Sequence, residues 1–185
     1  MLEGLAFQTT VGSLSTPITG GGNGTVLDKD QSELVLSVPD GTTMIPTRIR
    51  VDCQVAVDQD ADEQEILIAV DRTQISNASG STGTAETAIN MRTDLTSSSA
   101  LTVTSANTSN HTDPTLSVEL AHAVKITNVV TSGITLGELM LTYEPVLSPV
   151  IVGPAHLLVY WGGTQAVTGF ASAEWIEFDS TRITS

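Results

Sequence analysis

Aromatic residues make up only 4% of this 185-residue chain and charged residues only 15%, where an average soluble domain carries roughly a quarter charged. Any core must therefore rest on Val, Ile, Leu and Ala, within an apolar total of 40%. Basic side chains number 7 against 21 acidic ones, for a formal charge of −14. A surface so poor in Lys and Arg cannot displace the counterions of a phosphate backbone or hold an anionic bilayer. Neither nucleic acid nor a membrane is expected as a partner. There is one cysteine, Cys53, which excludes an intrachain disulfide. No apolar run approaches the length of a membrane span. The opening M-L-E-G-L-A-F-Q-T-T has no basic stretch and no apolar h-region, so synthesis in a cytoplasm without export is expected. No stretch of length keeps a 3.6-residue period, and the G-x-G-x-x-G, Walker and G-x-S-x-G patterns are all missing.

What the chain does have is alternation. In I-R-V-D-C-Q-V-A-V-D, residues 49–58, the odd positions Ile49, Val51, Cys53, Val55 and Val57 are apolar, and the even ones are mostly polar. That period of two describes a strand with one buried and one wetted face, and it places Cys53 in a core as a small apolar side chain. Similar signals mark 33–38, 66–70, 116–120, 124–130, 138–143, 150–152, 155–161 and 170–178. Leu67 and Ala69 make the 66–70 run apolar on both faces, as in a strand covered on both sides. Pro39-Asp40-Gly41 supplies a turn. Gly162-Gly163 and Gly169 bound the last two strands, which are expected to pair as a hairpin with a longer loop. Ser, Thr, Asn and Gly dominate 77–115, where only 85–91 and 100–104 suggest short strands. Residues 1–31, with G-G-G-N-G at 20–24, read as an extended N-terminal arm without a packed element. The expectation is an all-β protein: an antiparallel β-sandwich of jelly-roll type over residues 32–185, preceded by that arm.

Sites of chemistry are few. The acidic run D-Q-D-A-D-E-Q-E, residues 58–65, offers Asp58, Asp60 and Asp62 as ligands for a hard cation such as Ca²⁺. The EF-hand template fails, because Glu63 stands at its glycine position and Ala69 at its final glutamate. His111, His122 and His156 share no metal-ligand spacing, although Asp113 could orient His111, and a spatial Ser-His-Asp set stays open. Glu174 and Glu177 resemble a glycosidase pair in type, but their odd separation puts them on opposite faces of one strand. Trp161 and Trp175 could stack on sugar if exposed. No cofactor is implied, and the chain is not expected to be an enzyme. A carbohydrate-binding or adhesive module, with one of these Trp and Ca²⁺ at the acidic run, is the alternative to a purely structural role.

Three stretches carry a resemblance. P-V-I-V-G-P-A-H-L-L-V-Y-W-G-G-T (149–164) followed by F-A-S-A-E-W-I-E-F (170–178) resembles the closing hairpin of a small jelly roll in virion proteins of tailed bacteriophages. G-T-T-M-I-P-T-R-I-R-V (41–51) is similar to an early strand of the same proteins. The resemblance covers about a third of the chain. It implies a structural protein of the virion, a decoration, head-fibre-like or minor capsid subunit. Such a protein would be made in the host cytoplasm and held by contacts with capsid subunits and with copies of itself, a trimer above all. It brings no catalytic residues. In that setting the arm anchors, the polar middle loops face outward, and deleting residues 1–24 would leave the sandwich folded.

Overall fold

The structure is a computed structural model, and it describes residues 5–20, 27–54, 62–72, 83–106, 118–127, 138–163 and 167–183. Thirteen strands and one short 3₁₀ turn appear among them. In chain order the strands are β1 (Ala6–Val11), β2 (Ile18–Thr19), β3 (Leu34–Val38), β4 (Thr42–Cys53), β5 (Asp62–Asp71), β6 (Thr84–Glu86) and β7 (Ile89–Asn90). They continue as β8 (Thr102–Ser105), β9 (Val118–Thr127), β10 (Leu139–Tyr143), β11 (Ile151–Val152), β12 (Ala155–Gly163) and β13 (Thr168–Asp179). Sheet I has the order β10-β4-β13-β1-β7, with β11 also beside β4 and β2 beside β13; sheet II has the order β6-β8-β3-β12-β5-β9. Every pairing is antiparallel. The two sheets pack face to face as an all-β sandwich.

The alternation expected around Ile49 is present, and the strand that carries it begins earlier, at Thr42. Ile49, Val51 and Cys53 are buried in the core between the sheets, while Arg50 is exposed. β4 is flanked by β10 on one side and β13 on the other, so it lies inside its sheet. Val55–Asp58 fall outside the described residues. From sheet II, Leu34, Leu36, Ile66, Ile68, Leu157, Val159 and Trp161 meet Ala171, Ala173 and Trp175 of sheet I. Phe7 stacks on Trp175 with ring centroids 6.1 Å apart and planes at 25°, which adds a favourable offset contact to the buried area.

The two sheets differ on their outer faces. Sheet I presents polar pairs there, with Arg48 near Glu174 and Arg50 against Asp52. Sheet II carries a second apolar cluster of Leu27, Val35, Leu67, Ala69, Leu158 and Tyr160. The 27–31 segment lies against it, and the Tyr160 hydroxyl donates to the Lys29 carbonyl at 3.1 Å. This explains why β5 and β12 read as apolar on both faces: each is covered twice.

The chain crosses between the two sheets several times. β3 belongs to sheet II, β4 to sheet I and β5 to sheet II; later β9 is in II, β10 in I, β12 in II and β13 in I. Between β3 and β4 Gly41, with φ of 78°, closes a turn in which the Thr42 amide donates to the Pro39 carbonyl. A side chain would be strained in that left-handed backbone.

Three expectations are corrected. β12 and β13 do not form a hairpin: β12 lies between β3 and β5, and β13 between β4 and β1. The stretch 1–31 is not an arm free of packed elements. β1 pairs with β13 from Ala6 opposite Ile176 to Val11 opposite Ala171, with Phe7, Thr9 and Val11 buried. The described parts of the separate signals at 116–120 and 124–130 belong to one strand, β9, Val118–Thr127.

Candidate functional site

Asp58 and Asp60 lie outside the described residues, and Asp62 opens β5 opposite Thr127. No group of three or more His, Cys, Asp or Glu side chains converges among the described residues. Trp161 and Trp175 are fully buried, so neither offers a face for stacking on a sugar. His111 is outside the described residues. His122 is on β9, its Nε2 2.5 Å from Glu65 Oε1. Burial pushes the Cys53 thiol up to about 12, with the nearby Glu33 and Asp52 charges adding to it. Such a thiol is inert.

Glu174 and Glu177 lie on opposite faces of β13, as their spacing requires. Glu174 faces outward beside Arg48, whereas Glu177 points inward. Glu177 Oε2 accepts from Ser99 Oγ at 2.6 Å and Trp175 Nε1 at 2.9 Å, and Oε1 accepts from the Ala100 amide at 2.7 Å. This carboxylate fastens the 91–101 connection to sheet I. Its oxygens are used structurally.

A Ser-His-Asp row does form, on the outer face of sheet II. Ser37 of β3, His156 of β12 and Asp71 of β5 stand directly opposite one another, with His156 Nδ1 3.0 Å from Ser37 Oγ. The Ser37 end borders a groove of about 520 Å³, lined also by Pro39, Asp40, Thr102 and Pro154. Ser37 is only 9% exposed and His156 4%. The hydroxyl is mid-strand, not on the sharp elbow that presents a nucleophile to substrate. The row orients an imidazole within a packed face.

The surface feature that stands out is apolar. β9 ends sheet II and β10 ends sheet I on the same side of the sandwich, and their side chains meet across it. After β10 the chain loops out over 144–150 and returns as β11, whose Ile151 pairs with Met44 of β4. Eleven large apolar side chains are exposed among the described residues. Seven of them belong to this edge: Val118 and Val124 on β9, Met140 on β10, and Val146, Leu147, Val150 and Val152 beyond it. Scattered single apolar residues need no explanation, but a concentration of this kind marks a contact surface.

No family model matches the chain, and no curated protein or solved structure is similar to it. The edge is therefore read from its own geometry.

Val146 is 107% exposed and Leu147 90%. Pro145 and Pro149 flank them and fix φ on both sides of the tip, which limits the loop's freedom before any partner arrives. Beside the loop is a groove of about 470 Å³ between the start of β9, the end of β5 and residues 149–155. Val70, Val118, Leu120 and Val150 line it, with Arg72 the one charged residue among its described walls. In sequence this segment is a connection bracketed by Pro145 and Pro149. The signal that marks it is V-L and V-I-V between prolines, where a solvated loop would carry polar residues.

Proposed function

We propose that this chain is a structural subunit of a bacteriophage particle, a capsid-associated decoration or minor capsid component that works by protein–protein contact. The observation that carries a contact role is the apolar edge of β9, β10 and the 144–152 loop. Its exposed Val146, Leu147, Val150 and Val152 lie within seven residues of one another in the chain and suit contact with another subunit. The particle assignment rests on the resemblance of 41–51, 149–164 and 170–178 to virion proteins. The part of that resemblance read as a closing hairpin now applies to two strands in different sheets. We take the sandwich to be a jelly roll, in keeping with the repeated crossings of the chain between its two antiparallel sheets. Capsid subunits are the proposed neighbours, and no catalysis is assigned.

The test is co-purification with particles of the phage that encodes the chain. Virions are banded on a density gradient, washed at moderate salt and probed with an antibody against the chain. The expected result is a band that travels with the major capsid protein. Chain that remains wholly in the soluble fraction while capsids band normally would refute the assignment. Loss of the band with Leu147→Asp, at unchanged folding, would tie it to the apolar edge.

A further inference from the structure

We draw no further inference here: the strongest candidate, the apolar edge of β9 and β10 with the 144–152 loop and the groove beside it, carries none because nothing in the structure shows what covers it.

Discussion

Removing the Glu177 carboxylate tests whether this acid holds the 91–101 connection to the sandwich. Glu177 is 6% exposed and accepts from Ser99 Oγ, the Ala100 amide and Trp175 Nε1. Glu177→Ala leaves two N–H donors without their acceptor, while the Ser99 hydroxyl can turn elsewhere. An orphaned buried donor costs about 1–3 kcal/mol, and bonds to a charged acceptor are at the strong end. The expected loss is about 4 kcal/mol, offset in part by no longer burying a charge. With a urea dependence of about 2–3 kcal/mol/M for a chain of this size, the midpoint should fall by roughly 1.5 M. Glu177→Gln keeps one acceptor but turns an NH₂ toward a donor, and should lose about half as much. Glu174→Ala is the control. It is on the same strand but the outer face, 3.9 Å from Arg48, where an exposed pair contributes under about 1 kcal/mol. The measurement is equilibrium urea unfolding followed by tryptophan emission, since Trp175 reports directly on the lost bond. Equal, small losses from Glu177→Ala and Glu174→Ala would show that the inward acid carries no special load.

Other outcomes follow from the same structure. The Cys53 thiol should resist a thiol reagent at pH 8 in the folded protein and react once urea unfolds it; rapid native labelling would contradict its burial. Its folded pKa of about 12 lies above the ordinary thiol value of 9.0. The thiol's contribution is thus intact below pH 9, and stability should fall by up to about 1.4 kcal/mol per pH unit from there toward 12, measured as urea midpoints in that range. Gly20→Ala should destabilise by about 1–3 kcal/mol, because a Cβ there would stand 2.2 Å from the Trp161 carbonyl oxygen and 2.6 Å from its ring. A thermal melt within a degree of the parent would mean that Trp161 can yield. Deleting residues 1–24 removes β1 with Phe7 and Val11 from the core. Burying two such side chains is worth about 3–6 kcal/mol, so the truncated chain should lack a cooperative melt, contrary to an arm that detaches harmlessly.

Much of the fold was legible where alternation and burial coincide. β4 and β13 show one apolar face each, and β5 and β12 show two, which correctly anticipates strands covered once or twice. β1 escaped notice because its core-facing row is Phe7, Thr9 and Val11. The central position is a threonine whose hydroxyl is satisfied by the Thr87 carbonyl, so burial there leaves no apolar signature. The expected hairpin of β12 and β13 failed for a different reason. Local pattern tells how many faces of a strand are covered, but not which layer it joins. β12, buried along its whole length, needs apolar cover on both sides and is seated in the middle of sheet II; β13 alternates and suits sheet I. Of the surface, the acidic run drew attention as a charge cluster, while the Pro145–Pro149 tip did not, because exposure of apolar residues depends on where the chain turns out of the sheet.

The position of β13 has a bearing on how the protein is made. It is the last strand in the chain, yet it stands between β4 and β1, pairing with β4 from Gly169 to Asp179 and with β1 from Ala171 to Ile176. On a ribosome both neighbours emerge long before it. Until it arrives, sheet I exists as two pieces facing a gap, each with a bare row of amides and carbonyls. Closure of sheet I thus waits for the latest of its three central strands and spans long sequence separations, which is slow. A chain cut short before Thr168 would keep most of its apolar residues and none of the strand that joins the two pieces. Such fragments are candidates for aggregation, because β13 is the strand that joins β4 to β1.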